Sequence, residues 1–342
     1  MTMNDILEML LQGKSLGLDD TRRLFEGLIG DEPPELKAAV LTALRAKGET
    51  ETEILGLATQ MRRHAVGLTP DFQDALDTCG TGGDGLRTLN LSTLAALLLS
   101  SMGVPIAKHG NRSVSSSCGS ADLLEGLGLP IDLSVDQTIR LFRETRFAFL
   151  FAPHFHPAMK SVAPIRRAMG VRTIFNFLGP LSNPARVRYQ ILGVPSPERL
   201  RPFADVLKGL DLQAAAVVHG EPGMDEVSPC GQTRAAYFTG GGPVQETLWT
   251  PEDFGFAPVA LDRLAVSGPQ EAIKRARQIM DGKGSPEEIT AVSVNAGAAL
   301  WLTGRTRAVK DGAQEAARHL AAGGVGTHWD RIVLTARGLK NA

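Results

Sequence analysis

A glycine-rich segment at residues 77–85 carries the most informative chemistry in the sequence. It reads DTCGTGGDG, and Asn90, Ser92 and Thr93 follow it at the start of an apolar helical run. Glycines allow backbone N–H groups to converge on an anion, and a helix that begins beside them adds its positive dipole end. The glycines lack the spacing of a dinucleotide-binding fingerprint, and no Gly-Lys-Ser/Thr follows as in a Walker loop. The segment predicts a phosphate cradle, with a capped flexible turn as the alternative.

A second polar segment follows a short apolar run and reads KHGNRSVSS from residue 108. Cationic side chains bind a polyanion by charge, and amide and hydroxyl groups add directional hydrogen bonds. A loop kept only for solvent rarely carries so many donors directly after a buried strand. We therefore expect a substrate anion to bind here. The candidate residues are Lys108, His109, Asn111, Arg112, Ser116 and, further along, Ser120.

A third segment contains His154, His156 and Arg166. A guanidinium can hold a carboxylate with two parallel hydrogen bonds, which an ammonium does less well. Arg166 is therefore a candidate for binding a substrate carboxylate, although a lone arginine is more often a surface residue. The two histidines have the spacing of metal ligands on a strand, but no acidic or cysteine partner stands near them, so we do not expect a metal there.

Two adjacent carboxylates, Asp225 and Glu226, follow an apolar run that ends at His219. On a tight loop they point in different directions, so they do not form a general acid and base pair on one face. Carboxylate oxygens suit Mg²⁺, which keeps water and substrate phosphates in its shell. Beside a phosphate cradle, this pair predicts a magnesium site, whereas alone it would indicate a surface turn.

The elements that position these segments change in kind near residue 70. Residues 1–65 have helical periodicity only, with a capping box formed by Thr50 and Glu53 and a Pro33–Pro34 helix start. From residue 75, short apolar strands alternate with helices, and Ser134, Ser196 and Ser285 indicate helix starts. The predicted strands are 75–78, 105–108, 147–151, 189–194 and 214–219.

This organisation predicts an α/β protein. A small all-helical N-terminal domain lies beside a larger α/β domain with a central parallel or mixed sheet, and ligands bind at the carboxyl ends of its strands. We read residues 240–243 as a hairpin or loop because of their glycines and proline.

Composition narrows the function classes and the compartment. The 342 residues carry a formal charge of −1, so no overall field draws the protein to nucleic acid or to anionic lipid. The N-terminus lacks the pattern of a secretory signal, and we expect a cytoplasmic protein. The three cysteines fit free thiols. Because Cys79, Cys118 and Cys230 each stand near one of the polar segments, we expect all three to border one cleft.

The polar segments together resemble the anthranilate phosphoribosyltransferase family, and the resemblance spans nearly the whole chain. The matching motifs are GTGGDG at 80–85, NLST at 90–93, KHGNRSVSS at 108–116, GSAD at 119–122, HPAMK at 156–160, RTIFNFLGPLSNP at 172–184 and DEVS at 225–228. The resemblance implies a helical domain of residues 1–70 with returning helices near 155–185, and an α/β domain of residues 71–342. It also implies a cleft between them, a homodimer formed through the helical domain, and an anthranilate synthase subunit as a candidate partner.

The resemblance assigns roles residue by residue. Catalytic positions fall on Lys108, Asn111 and Arg166, and anthranilate contacts on Gly80, Asn111 and Arg166. Magnesium contacts fall on Ser92, Asp225 and Glu226. Contacts to phosphoribosyl pyrophosphate (PRPP) fall on Gly80, Gly83, Asp84, Thr88, Asn90, Ser92, Thr93, Lys108, Ser116 and Ser120.

The implied reaction is attack of the anthranilate amine on the anomeric carbon of PRPP, with loss of pyrophosphate, in tryptophan biosynthesis. Because an aniline nitrogen is a weak nucleophile, we expect a loose transition state stabilised by Lys108 and magnesium, without a strong base. Two alternatives stay open. A nucleoside phosphorylase has a similar glycine loop but needs neither Asp225-Glu226 nor Arg166, and a nucleic-acid-binding relative conflicts with the near-zero charge.

Overall fold

The computed structural model describes residues 1–68, 70–112 and 118–341. The N-terminal part is helical, as the sequence predicts. Its helices are α1 (Met3–Leu11), α2 (Leu18–Ile29), α3 (Pro34–Lys47) and α4 (Glu51–His64). Thr50 and Glu53 form the predicted capping box of α4, and Pro34 occupies the first turn of α3.

A seven-stranded sheet forms the centre of the second part of the described chain, in the order β3-β2-β1-β4-β5-β6-β7. The strands are β1 (Leu76–Gly80), β2 (Ile106–Gly110), β3 (Phe147–Phe151), β4 (Tyr189–Gly193), β5 (Ala214–Gly220), β6 (Thr233–Phe238) and β7 (Gln245–Trp249). The first five pair in parallel, and β6 and β7 pair antiparallel. The predicted α/β class with a mixed sheet is confirmed.

The five predicted strands are confirmed, with ends that differ by at most two residues. The sequence analysis missed β6 and β7. Strand β7 is the sheet edge, and most of its side chains are exposed, so it has no apolar run to reveal it. Residues 240–243 connect these two strands, which confirms their interpretation as a hairpin.

Helices cover both faces of the sheet. They are α5 (Leu91–Ser101), α6 (Ser120–Gly126), α7 (Val135–Thr145), α8 (Ala152–Phe155), α9 (Ala163–Met169), α10 (Phe175–Leu181), α11 (Leu200–Gly209), α12 (Pro269–Met280), α13 (Pro286–Leu302), α14 (Val309–Ala321) and α15 (Gly324–Asn341). Alternate residues of β5 face opposite cores: Ala216 packs in the core with α5 and α13, and Val217 packs in the core with α11 and the N-terminal helices. No helix in the described chain is both long and apolar enough to cross a membrane.

Predicted helix starts are confirmed at two of the three serines. Ser134 and Ser285 accept hydrogen bonds from the backbone at the third helical position and form capping boxes. Ser196 makes no such side-chain bond. A short 3-10 turn, Pro197–Arg199, follows it, and α11 begins only at Leu200. At Ser196 the Ser-Pro-Glu pattern therefore marks a turn that leads into the helix, whereas at Ser285 the same pattern begins the helix itself.

The segment α8 to α10 returns to the N-terminal helices, since α9 contacts α3 and α10 contacts α4. Arg62 of α4 joins this segment to the sheet domain. It is buried and donates from Nε to the Leu181 carbonyl at 2.8 Å and from Nη1 to the Leu210 carbonyl at 3.1 Å. Burial lowers the pKa of Arg62 to about 10, which still leaves it charged at neutral pH.

Candidate active site

Three of the four polar segments, those at 77–93, 108–120 and 225–226, meet in one cleft of about 300 Å³ at the carboxyl ends of β1 and β2. Parallel strands place their carboxyl ends at one edge, which brings distant loops together. The lining residues are Cys79, Gly80, Thr81, Gly82, Gly83, Asp84, Leu86, Thr88, Leu89, Asn90, Ser92, Thr93, Lys108, His109, Gly110, Asn111, Arg112, Cys118, Gly119, Ser120, Asp225 and Glu226.

The glycine loop after β1 is held by contacts to two other loops. The Gly82 N–H donates to Oδ2 of Asp225 at 2.7 Å, and the Thr81 N–H donates to the Gly193 carbonyl at 2.9 Å. Gly80 must lack a side chain, because a Cβ there would lie 2.1 Å from Oδ2 of Asp225. The glycine loop therefore packs directly against Asp225, one of the two carboxylates predicted to bind magnesium.

The N-terminus of α5 also faces the cleft, and its backbone is engaged by the second carboxylate. The Ser92 N–H donates to Oε1 of Glu226 at 2.8 Å. Asn90 stands at the cap position without a side-chain capping bond, and its Nδ2 donates instead to the Cys118 carbonyl at 2.8 Å. Asn90 therefore does not cap α5 with its side chain.

Three carboxylates crowd together in the cleft. Burial and, secondly, the neighbouring Asp225 raise the pKa of Asp84 to about 6. Burial also raises the pKa of Asp225, and it raises the pKa of Glu226 well above its usual value. Carboxylate oxygens are the donors that a hard divalent cation prefers, and such an ion would stabilise the charged forms that burial disfavours.

These carboxylates do not form a complete metal cage. In the part of the chain that the structure describes, no group of three or more His, Cys, Asp or Glu side chains is arranged to hold a metal ion. A magnesium ion here would therefore take further ligands from water and from substrate oxygens, which is the usual habit of this ion.

Lys108 lies in the middle of β2 and is only 2 % exposed. Its Nζ donates to the Thr78 carbonyl of the neighbouring strand. Burial lowers the pKa of Lys108, and the negative charge of Asp77 opposes this effect. The residue lines the cleft, and its ammonium is engaged by the neighbouring strand.

No role was predicted for Asp77, which lies in β1 directly before the glycine loop and next to the cleft. It is fully buried, and it accepts from the His109 backbone N–H at 3.3 Å and from Nδ2 of Asn183 at 2.8 Å. Burial raises the pKa of Asp77 to about 6, and Lys108 opposes the rise. Its position directly before the glycine loop is a sequence feature that could have drawn attention to Asp77. That position does not show, however, that the Asp77 side chain is buried.

His109 and Arg112 line the cleft; Nδ1 of His109 and the guanidinium of Arg112 are already engaged, whereas Nε2 of His109 is buried without a hydrogen-bond partner in the described chain. Nδ1 of His109 donates to the Gly179 carbonyl at 3.1 Å, and burial, then the adjacent His156, lower the pKa of His109 to about 3. Its ring is neutral at physiological pH. Arg112 pairs with Glu125 at 2.7 Å and with Asp122 at 3.1 Å on the surface of α6.

Among the predicted site residues that the structure describes, Arg166 does not line the cleft. Arg166 on α9 lies elsewhere, with its guanidinium carbon 5.5 Å from the centroid of the Phe175 ring. Ser116 lies outside the described residues. All the other residues assigned to substrate or magnesium line the same cleft.

The expectation that all three cysteines border one cleft is wrong for Cys230. Cys79 and Cys118 line the cleft, whereas Cys230 lines a separate hollow with Glu221 and Leu261. Cys79 is buried, and burial raises the pKa of its thiol, which makes it a packing residue more than a reactive one.

Comparison with known proteins decides the family. Residues 4–65 match the family model described as "Glycosyl transferase family, helical bundle domain", and residues 72–325 match "Glycosyl transferase family, a/b domain". A protein of Sorangium cellulosum named anthranilate phosphoribosyltransferase is 41% identical over 336 residues, which is 98% of this chain and 96% of that protein. The chain belongs to the anthranilate phosphoribosyltransferase family.

Solved structures of this family agree with the fold. Anthranilate phosphoribosyltransferase from Thermus thermophilus superposes with a TM-score of 0.91 at 40% identity, over 97% of this chain and 99% of that one. The Saccharomyces cerevisiae enzyme, solved in complex with PRPP and Mg, superposes with a TM-score of 0.87 at 26% identity, over 98% of each chain. Membership of the family separates this chain from the nucleoside phosphorylases and from the nucleic-acid-binding alternative.

Proposed function

We propose that this protein transfers the 5-phosphoribosyl group of PRPP to the amine of anthranilate and releases pyrophosphate, as a step of tryptophan biosynthesis. The observation that carries the proposal is the convergence of the glycine loop, the α5 N-terminus, Lys108 and three carboxylates on one cleft. Such a site is rich in donors for a diphosphate and in oxygens for a cation, and its charged groups are already oriented. The relative from yeast binds PRPP and Mg, which supports the same ligands here.

PRPP would bind with its diphosphate against the glycine loop and the start of α5. Two backbone donors there, the N–H groups of Gly82 and Ser92, are occupied by Asp225 and Glu226. A diphosphate can take these donors only by displacing the two carboxylates. The carboxylates would then be free to face the magnesium that accompanies the diphosphate, so substrate and metal should bind together. The further PRPP contacts are proposed at Gly80, Gly83, Asp84, Thr88, Asn90, Thr93, Lys108, His109, Arg112, Ser116 and Ser120.

Magnesium would be held by Asp225 and Glu226, with the Ser92 hydroxyl as a third oxygen. The fit rests on the three carboxylates that line the cleft together, Asp84, Asp225 and Glu226, because their oxygens are the donors that this ion prefers. The ion would neutralise the diphosphate and make it a better leaving group.

Anthranilate would bind through Gly80, Asn111 and Arg166, and the guanidinium of Arg166 would hold its carboxylate. Since Arg166 is not among the residues that line the cleft, this role requires α9 to approach the cleft when the substrates bind. Burial lowers the pKa of Arg166, but the group stays charged at neutral pH, as carboxylate binding needs.

Catalysis would depend on position and charge. Lys108 donates to the Thr78 carbonyl and is influenced by the negative charge of Asp77, and its positive charge would stabilise the departing diphosphate, where negative charge grows in the transition state. His109 is neutral and its Nδ1 proton is engaged by Gly179, so it orients the loop and does not act as a strong acid. Asn111 lies at the cleft beside the acceptor position proposed for anthranilate.

The organisation around this cleft is also a proposal. We infer a helical domain of residues 1–70 with returning helices near 155–185, and an α/β domain of residues 71–342. The helical domain would form a homodimer, an anthranilate synthase subunit is a candidate partner, and the compartment would be the cytoplasm, with neither nucleic acid nor membrane as a partner.

The test is an assay of the purified protein with anthranilate, PRPP and magnesium, followed by loss of anthranilate fluorescence and by release of pyrophosphate. We expect both signals, and neither without PRPP or after chelation of magnesium. Activity with a nucleoside and phosphate, and none with anthranilate, would refute the proposal in favour of a phosphorylase.

A further inference from the structure

Arg172 lies between α9 and α10, and its side chain contacts the glycine loop. Its Nη2 donates to the Gly82 carbonyl at 3.0 Å. A Cβ built on Gly83 would lie 2.2 Å from Nη1 of Arg172, so the guanidinium lies directly against bare backbone. Arg172 opens the 172–184 motif, to which neither the sequence analysis nor the proposed mechanism gave a role.

The backbone of Arg172 is tied to the helical bundle. Nη1 of Arg45, on α3, donates to the Arg172 carbonyl. The Thr173 N–H donates to Oδ1 of Asn176 at 2.9 Å, and Ile174 is buried in the core shared with the N-terminal helices. The side chain of Arg172 thus reaches the glycine loop from a backbone that is fixed on the bundle side.

Both polar backbone groups of Gly82 are consequently held, the N–H by Asp225 and the carbonyl by Arg172. Arg172 also faces Asp225: burial raises the pKa of that carboxyl, and the positive charge of Arg172 opposes the rise. A planar guanidinium can donate to the carbonyl with one nitrogen and cover Gly83 with another, which a lysine cannot do.

We propose that Arg172 is a positioning residue that sets the conformation of the glycine loop for the diphosphate of PRPP, and that Arg45 links this contact to the helical bundle. The proposal rests on the proposed function, because it takes the loop to be the diphosphate site. Through Arg45 and Arg172, the helical bundle would then influence the conformation of the diphosphate site.

The first test is steady-state kinetics of Arg172→Ala, Arg172→Lys, Arg45→Ala and the double variant Arg45→Ala/Arg172→Ala, with Arg167→Ala as a control from the exposed face of α9. Loss of a hydrogen bond from a charged group should raise the KM for PRPP about tenfold in Arg172→Ala, with little change for anthranilate. Arg172→Lys should recover only part of the loss. A variant that is merely destabilised would lose kcat, through a smaller active fraction, without this change in KM.

The double variant tests the link to the bundle. Arg45→Ala should raise the KM for PRPP about threefold, and the double variant should match Arg172→Ala, because Arg45 acts through Arg172. An unchanged KM in Arg172→Ala, or full recovery by lysine, would overturn the positioning role. Additive effects of the two substitutions would overturn the link.

The second test does not depend on turnover. In hydrogen exchange of the protein without substrates, peptides that cover residues 80–86 should exchange faster in Arg172→Ala than in wild type, and the control should not differ. Equal exchange would refute the proposal even if the enzyme is active. If residues 80–86 exchange faster in Arg172→Ala but wild-type protein does not consume anthranilate, the proposed function is refuted and the structural role of Arg172 remains.

Discussion

Replacement of Asp77 by asparagine tests whether a buried carboxylate charge in β1 lowers the free energy of unfolding at neutral pH. Asp77 is fully buried, and burial raises its pKa to about 6 in spite of Lys108 and two hydrogen-bond donors. An unperturbed aspartate has a pKa of about 3.9. The native protein therefore binds this proton more tightly than the unfolded chain does.

The sign and size of the effect follow from that difference. Because the folded-state pKa is raised, the contribution of Asp77 to the free energy of unfolding increases as the pH falls through 6, and it is complete below about pH 4. A shift of about two units corresponds to about 3 kcal/mol in full, of which roughly 1.3 kcal/mol appears between pH 7 and pH 5. The variant Asp77→Asn also loses the acceptor for Asn183, but that loss is the same at every pH.

The assay is urea unfolding of wild type and Asp77→Asn at pH 7, 6 and 5. The free energy of unfolding of wild type minus that of the variant should grow by roughly 1.3 kcal/mol from pH 7 to pH 5. Asp74→Asn, which removes a carboxylate that is 72 % exposed from the same segment, controls for a general change in charge. A difference that stays constant or shrinks as the pH falls would show that Asp77 does not carry a buried charge at neutral pH.

Three further substitutions test the proposed site. Asp225→Asn with Glu226→Gln keeps acceptors for the backbone but removes both charges, so the magnesium concentration for half-maximal rate should rise at least about tenfold; a normal requirement would contradict the metal assignment. Arg166→Lys should raise the KM for anthranilate about tenfold and leave that for PRPP unchanged, because the planar fork is lost; equal losses for both substrates would mean a structural role. Gly83→Ala should raise the KM for PRPP more than Gly85→Ala does. Both glycines have a positive φ, but only a Cβ at Gly83 would collide with Arg172. An equal KM for PRPP in the two variants would refute the contact.

Local chemistry in the sequence was enough to predict much of this protein. The N-terminal helices and five of the strands depend on periodicity and capping, which are properties of short segments. The proposed roles of the glycine loop in anion binding and of Asp225 and Glu226 in cation binding likewise rest on local chemistry, since glycine backbone and hard oxygen donors suit those ligands. Edge strand β7 was missed, because exposed side chains leave no hydrophobic period.

The remaining features of the site depend on the strand order of the sheet, because that order determines which loops, distant in sequence, lie close together. Asp225 binds Gly82 across 143 residues and Glu226 binds Ser92 across 134, and no local pattern encodes either contact. Burial of Asp77, and with it the raised pKa, depends on strands on both sides of β1 and on Asn183, 106 residues away. The position of Arg166 outside the cleft lining likewise follows from the packing of α9 on α3. Residue types thus determined which chemistry was available, and tertiary packing determined which groups already hold each other.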